Sequence, residues 1–322
     1  SASTAGTART LYSVDLAGHC HIALATAGRL IIQDISGAGR WLVTREDYLN
    51  EISIMAPGVR EERNLAWLDA SDGPQFSRDG SLLSFSDWSA TAGTNYGTCM
   101  QPTLGGPVTR IGEGASLGFS PDGKLALALI NMPPQIVIYP VGAGTTLRLP
   151  RGPMAAYQMA RWFPDGKRVL IVGNETGKAL RCYEQDLDGG LPRPVAPEGT
   201  IDGIVSSLGG QILFRGQDEN WLVQPIAGGQ PRSMPGLTAD DHVLRWSADD
   251  LSLFIYRMHD FSVEFERLET VSGRRTPVRR GTLADKAGFT GISEAALSED
   301  TKAYAYAYGK STSHLFVVEG LK

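Results

Sequence analysis

The 322-residue sequence predicts an all-β fold of repeated four-stranded sheets, and three observations carry that reading: a recurring tight turn, its even spacing, and an abundance of scattered glycine and proline. The turn is clearest in Phe119-Ser120-Pro121-Asp122-Gly123. Proline pre-sets the second position, aspartate bonds back to the turn's own backbone, and glycine takes the positive φ that closes it. Phe76-Ser77-Arg78-Asp79-Gly80 and Trp162-Phe163-Pro164-Asp165-Gly166 repeat the pattern, and weaker copies are led by Ile35, Val205, Trp246 and Leu297. The seven leading residues follow one another at intervals of 41, 43, 43, 43, 41 and 51. A strand-built period of about 40–45 residues is that of a propeller blade, a sheet that cannot bury both faces alone and stacks on its neighbours around an axis. Helical repeats of this period would not tolerate Asp-Gly in the middle of every unit. The expected architecture is a single β-propeller of seven four-stranded blades.

Within one period the strands follow in order. The segment entering each turn is the innermost strand; a second runs over residues 81–85, 125–130 and 168–172, and a third over 135–139, 180–185 and 221–225. Gly105-Gly106, Gly189-Gly190 and Gly228-Gly229 close the third strand. The fourth is short with proline nearby (Pro107, Pro192, Pro194, Pro231), which suits an outer edge where a missing N–H does no harm. Two stretches interrupt the pattern. Residues 44–64 contain the polar run Arg45-Glu46-Asp47-Tyr48-Leu49-Asn50-Glu51, read as a polar hairpin with one helical turn as the alternative. The longest interval contains Arg274, Arg275, Arg279 and Arg280, a basic rim loop, and a short helix is expected near residues 283–287.

The ends carry their own expectations. After Leu297 the chain supplies a second strand (303–308) and a third (314–318) but no fourth. Residues 11–16 and 21–25 read as a third and fourth strand preceding the first repeat. Residues 21–25 are therefore expected to complete the last blade and remove its free edge, the alternative being that the N-terminal strands are the remnant of an upstream blade. The boundary falls between 1–28, the N-terminal strands, and 29–322, the propeller. The chain begins at Ser1 without methionine, so it reads as a processed product or a fragment.

Composition limits the function classes. A net charge of −5 with 20% charged residues gives no strong footprint for nucleic acid or an acidic membrane. Cys20, Cys99 and Cys182 are odd in number and form no CxxC pair, so neither a disulfide framework nor a zinc site is indicated. No apolar run approaches the roughly 18–20 residues of a membrane span, and the N-terminus lacks signal-peptide regions.

The segments FSRDGSLLSF, FSPDGKLALAL and WFPDGKRVLIVG resemble the TolB-like, WD-related propeller repeats of bacteria. The run CYEQDLDGGLPRPVAPEG and the ending HLFVVEGLK resemble the C-terminal propeller region of large bacterial serine/threonine protein kinases. The kinase itself is missing from the sequence, which has no Gly-rich loop, HRD or DFG. TolB's propeller has six blades, so six is the alternative to seven, with one turn lying outside the ring. The resemblance implies a module of a larger signalling protein, with the extracytoplasmic side of a membrane-anchored parent preferred over the cytoplasm.

Several strings imitate catalytic motifs. Gly114-Ala115-Ser116-Leu117-Gly118 matches GxSxG but lacks the following helix of a nucleophile elbow, and Gly309-Lys310-Ser311-Thr312 ends like a P-loop but reads as a hairpin. His19 and His21 share one side of a strand if that segment is extended, and read as surface or packing residues rather than ligands. Asp79, Asp122 and Asp165 recur and so hold turns, while Phe76, Phe119, Trp162 and Trp246 share one repeat position and pack between blades. Candidates for binding lie where blades differ, on the segments entering the innermost strands: Asp72, Tyr157, Gln158, Asp202, Asp240, Asp241, His242 and Glu294. Convergent carboxylates around a polar channel suit a cation, an amine or a peptide. The sequence thus predicts a non-catalytic, monomeric binding or sensor module for a protein, peptide or small polar ligand, without cofactor, metal, nucleic acid or membrane span. Two alternatives stand beside it: a metal-dependent hydrolase or lactonase with Asp202 and Asp241 among its ligands, and a structural scaffold.

Overall fold

The computed structural model describes residues 2–3, 9–25, 29–65, 70–89 and 91–320. Among them there is no helix, hence none long and apolar enough to cross a membrane. Three short N-terminal strands, β1 (Ala2–Ser3), β2 (Arg9–Val14) and β3 (Cys20–Ala25), form one sheet. β4 (Arg29–Ile35), β5 (Trp41–Met55) and β6 (Arg63–Asn64) follow. Five four-stranded antiparallel sheets come next. They comprise β7 (Ser71–Phe76), β8 (Leu82–Asp87), β9 (Gly97–Pro102) and β10 (Thr109–Glu113), then β11 (Ala115–Phe119), β12 (Leu125–Ile130), β13 (Gln135–Pro140) and β14 (Leu147–Arg148). β15 (Met154–Trp162), β16 (Arg168–Glu175), β17 (Arg181–Asp186) and β18 (Arg193–Pro194) make the third. β19 (Thr200–Val205), β20 (Gln211–Gly216), β21 (Trp221–Pro225) and β22 (Arg232–Ser233) make the fourth. The fifth holds β23 (His242–Trp246), β24 (Ser252–His259), β25 (Ser262–Glu269) and β26 (Arg275–Thr282). β27 (Phe289–Leu297) and β28 (Tyr304–Val318) end the chain and pair with β5, which also pairs with β4 and β6.

The fold class is the expected all-β propeller, and the described residues form seven sheets. Six of them are arrayed as a ring. The sheet of β27 abuts β7, and each ring sheet abuts the next. The sheet of β1, β2 and β3 stands beside the ring, so the numbers seven and six both have a counterpart. The packing says the same. Six apolar clusters each fill one seam between ring sheets: Leu127, Ile136, Val169 and Tyr183 in one, Leu170, Cys182, Ile212 and Phe214 in the next. Tyr183 and Cys182 are adjacent in β17 and serve opposite seams, because successive side chains of a strand point to opposite faces. Sheets covered on both faces need continuous apolar strands rather than alternating ones, which is why β12 reads Leu-Ala-Leu-Ala-Leu-Ile. A separate cluster of Leu11, Leu30 and Val43 joins the N-terminal sheet to β4 and β5.

Six of the seven turns join an inner strand to its second strand. In four of them the first-position serine donates its hydroxyl to the turn aspartate: Ser77 to Asp79 at 2.6 Å, Ser120 to Asp122 at 2.6 Å, Ser247 to Asp249 at 2.5 Å and Ser298 to Asp300 at 2.8 Å. The same serine oxygen accepts a backbone N–H five residues on, at 2.9–3.0 Å. These bonds hold Asp79 and Asp122 below the usual carboxylate range. The closing position has φ of +71° at Gly80 and Gly123, and in the weaker copies +58° at Asp250 and +61° at Thr301. The seventh turn, at Ile35, joins β4 to β5 outside the ring.

Several expectations are corrected. The strand that completes the last blade is β5, not residues 21–25, which pair with β2. The polar run 45–51 lies inside β5 and is strand, because its backbone pairs with β28 over residues 41–55. β28 is one unbroken strand, so residues 309–312 form no hairpin; their N–H and C=O groups face β5. Residues 283–287 contain no helix. Of the expected basic loop, Arg275, Arg279 and Arg280 lie in β26.

A carboxylate latches the closure. Glu62 accepts hydrogen bonds from Tyr304 Oη at 2.7 Å, Tyr306 Oη at 2.5 Å and Ser53 Oγ at 2.8 Å, while Tyr308 Oη donates to Glu51 at 2.6 Å. Removing one partner strands buried hydroxyls, each worth about 1–3 kcal/mol. Glu62→Ala is expected to lower stability by about 2–4 kcal/mol in urea unfolding and to speed amide exchange in β28 first. Thr301→Gly is expected to stabilise the protein by about 1 kcal/mol, since a β-branched residue is strained at positive φ, whereas Gly123→Ala destabilises it by a similar amount.

Candidate functional site

The six inner strands enclose a channel of about 1140 Å³. Its lining runs from residues along those strands, among them Asp72, Ser116, Gln158, Asp202, His242 and Glu294, to the turns at their far ends, including Arg78, Pro121, Pro164 and Glu299. At the first mouth, neighbouring strands bring unlike groups together. Ser293 of β27 donates its hydroxyl to Asp72 of β7 at 2.8 Å, and the same carboxylate oxygen accepts the Gly73 N–H at 2.8 Å. Glu294 is open to the channel and has no hydrogen-bond partner among the described residues. It lies so close that a Cβ on Gly73 would sit 3.6 Å from its Oε2. Protein crowding that strips water from the carboxylate, and then the Asp72 charge, push Glu294 up to about 7 against the opposing pull of Arg161.

Across the channel Arg161 of β15 reaches the next blade, pairing with Asp202 Oδ1 at 3.1 Å and donating to Gly203 O at 2.8 Å. Arg245 repeats this on β23, donating to Ser298 O at 2.9 Å and Glu299 O at 3.0 Å and pairing with the Glu299 carboxylate at 3.2 Å. His242 stacks on Tyr256 with ring centres 4.7 Å apart, and burial, then the Arg215 charge, hold its pKa below the ordinary imidazole value.

The structure brings Asp72, Gln158, Asp202, His242 and Glu294 to the channel. It places the other three candidates elsewhere. Tyr157 is 8% exposed and faces the seam core, one residue out of phase with channel-facing Gln158. Asp240 is exposed outside the lining. Asp241 borders the cavity, but its fully buried carboxylate is gripped by Arg275 at 2.8 and 2.6 Å and by Thr238 N–H at 2.7 Å. Burial opposes its ionisation, yet Arg275 and Thr238 outweigh it and lower its pKa. Sequence reasoning missed Arg161 and Arg245. Both precede the turn tryptophan as Arg-Trp, so aligning the repeats residue by residue would have shown them to be equivalent.

Among the described residues no three His, Cys, Asp or Glu side chains form a metal-holding group. Asp202 faces Arg161 and Asp241 faces Arg275, so the donor set expected for a metal-dependent hydrolase does not converge.

Six sheets around a polar channel define a β-propeller, and the solved structures similar to this chain include two TolB proteins. The assigned TolB of Agrobacterium tumefaciens matches with a TM-score of 0.59 at 17% identity, over 81% of this chain and 98% of that one. TolB of Acinetobacter baumannii matches with a TM-score of 0.51 at 15% identity, over 83% of this chain and 66% of that one. A chain of a nidogen/laminin complex gives 0.51 at 11% identity, over 70% and 92%. At such identities the likeness shows a TolB-like fold. No protein-family model matches the chain, and no curated protein does.

An acid whose pKa rises on folding opposes the fold once the pH passes its unfolded value. Glu294→Gln is therefore expected to raise stability at pH 8 by about 1 kcal/mol, allowing for screening by channel water, and to leave it unchanged at pH 4. Urea midpoints at the two pH values check this.

Proposed function

We propose that the chain is a non-catalytic binding or sensor propeller of a larger bacterial signalling protein, taking a protein, peptide or small polar ligand at the first channel mouth. The observation that carries this reading is the contrast between groups on the channel wall. Arg161, Arg245 and Asp202 are tied into contacts between blades, whereas Gln158 and Glu294 present polar ends with no hydrogen-bond partner among the described residues. Free polar groups in a large concave site are what a ligand needs for orientation and specificity. The signalling placement, and an origin outside the cytoplasm, rest on the sequence resemblance alone. In this reading residues 29–322 are the binding module and 1–28 an accessory to it.

The scaffold alternative has its own observation. Beyond Ser311, β28 pairs with β5 on one side only among the described residues, and Leu315 and Val317 are exposed there. A free strand edge with apolar side chains suits pairing with another chain.

The test is a library of random heptapeptides screened by thermal shift. Stabilising peptides are expected to lose their effect in Gln158→Trp, which fills the mouth, and to keep it in Arg193→Trp on the outer edge. Peptides indifferent to Gln158→Trp would remove the channel mouth as the site.

A further inference from the structure

The chemistry of the first mouth narrows the ligand, on the assumption that the channel binds one. Three successive strands, β27, β7 and β11, bring Glu294, Asp72 and Ser116 around Gly73. The Cβ position of Gly73 lies 3.6 Å from Glu294 Oε2 and 3.7 Å from Ser86 Oγ, and Ser86 Oγ in turn accepts the Ser116 N–H at 2.9 Å. Gly73 has φ of +65°, so the absent side chain both permits the backbone turn and leaves this space open. Asp72 has one oxygen engaged by Ser293 and Gly73; its other oxygen has no partner among the described residues, nor has either oxygen of Glu294. Ser116 is only 6% exposed on the same wall, and its Oγ is a buried hydroxyl without a partner. A buried polar atom left without a protein partner calls for one from water, an ion or a ligand.

We infer that this seam is a subsite for the primary ammonium group of a ligand, with the carboxylates of Asp72 and Glu294 as its counter-charges and the Ser116 hydroxyl as a further acceptor. The set of groups selects among cations. A guanidinium prefers a carboxylate that offers both oxygens in one plane; Glu294 alone does so, whereas the single free oxygen of Asp72 and the Ser116 hydroxyl call for separate donors. A divalent metal needs more ligands than the two carboxylates supply. An ammonium is a compact charge with three donors and matches acceptors on three strands. The charges acting on Glu294 are those of Asp72 and Arg161; Tyr256 lies under the influence of both Glu294 and Asp202, and His242 is stacked on that tyrosine. With His242 neutral, the carboxylates of Asp72 and Glu294 face one guanidinium, that of Arg161, so the site is net negative once Glu294 is ionised.

An α-ammonium and a lysine side chain offer the same group, so two probes are needed: trialanine amide, and N-acetyl-lysine methylamide, each set against its fully acetylated form by calorimetric titration at pH 7.5. One charged probe is expected to bind at least about tenfold more tightly than its acetylated form, and which one does so identifies the source. Asp72→Asn and Glu294→Gln should each weaken it about tenfold, and the wild type should bind several-fold more weakly at pH 6, where Glu294 is protonated. Equal binding of charged and acetylated probes, no saturation by either charged probe below about 10 mM, or indifference to both carboxylate variants overturns the inference. Heptapeptides that bind in a Gln158-sensitive manner while ignoring acetylation and both variants would overturn the ammonium subsite alone and leave the channel as a binding site.

Discussion

The structure depends on closing the ring between its first and last strands. Each ring sheet is apolar on both faces, so every one of the six seams has to be filled, and a sheet without a neighbour would expose a whole core. Five seams follow from chain order, because each sheet is succeeded by the next. The sixth requires β5, near the start, to pair with β28, at the end; Ile52, Ile54, Ala305 and Ala307 of that joint sheet then pack on Leu83 and Phe85 of the first. Pairing is extended past the ring to the full length of both strands, and the tyrosines of β28 are fixed by Glu62 and Glu51 from the N-terminal side. A joint made of two distant segments carries a large loop-closure entropy, and a long ladder with charged hydrogen bonds offsets it.

The same seam carries the channel's least satisfied groups. Asp72 belongs to the first ring sheet and Ser293 and Glu294 to the last, so the hydrogen bond from Ser293 to Asp72 and the repulsion between Asp72 and Glu294 act across the closure. The fold tolerates this conflict because the apolar cluster and the Glu62 latch hold the seam from outside. A ligand whose charge relieves the conflict would stabilise the closed ring by mass action, which couples occupancy of the channel to the integrity of the joint.

The turns and spacing made the blades legible in the sequence, down to β12 and β21 residue by residue, because serine, aspartate and glycine each have a local physical role there. The closure was not legible. β5 contains Arg45-Glu46-Asp47 and β28 contains Lys310-Ser311-Thr312-Ser313, runs that look like loops since their side chains are solvated on a projecting sheet; only the partner strand, 257 residues away for Glu51 and Tyr308, makes them strands. At the site, the acidic character of the mouth could be read, but the phase could not. Tyr157 and Gln158 are neighbours on opposite faces, and a bulge between Tyr157 and Met159 resets the alternation. Asp241 looked like its neighbours until Arg275, 34 residues on, came to meet it.

The repeat also separates structure from function within the ring. The third copy has Phe163 where the others have serine, and Arg168 lies over that ring at 4.3 Å and pairs with Asp165, so the turn is held by different means at no loss of geometry. Positions that recur, or that are replaced by an equivalent device, are under the demands of the blade. Gln158 and Glu294 are under no such demand: neither makes a hydrogen bond among the described residues, and the neighbouring Asp72 charge opposes ionisation of Glu294. A carboxylate without a hydrogen-bond partner that lines the channel between the inner strands is best explained by what enters that channel.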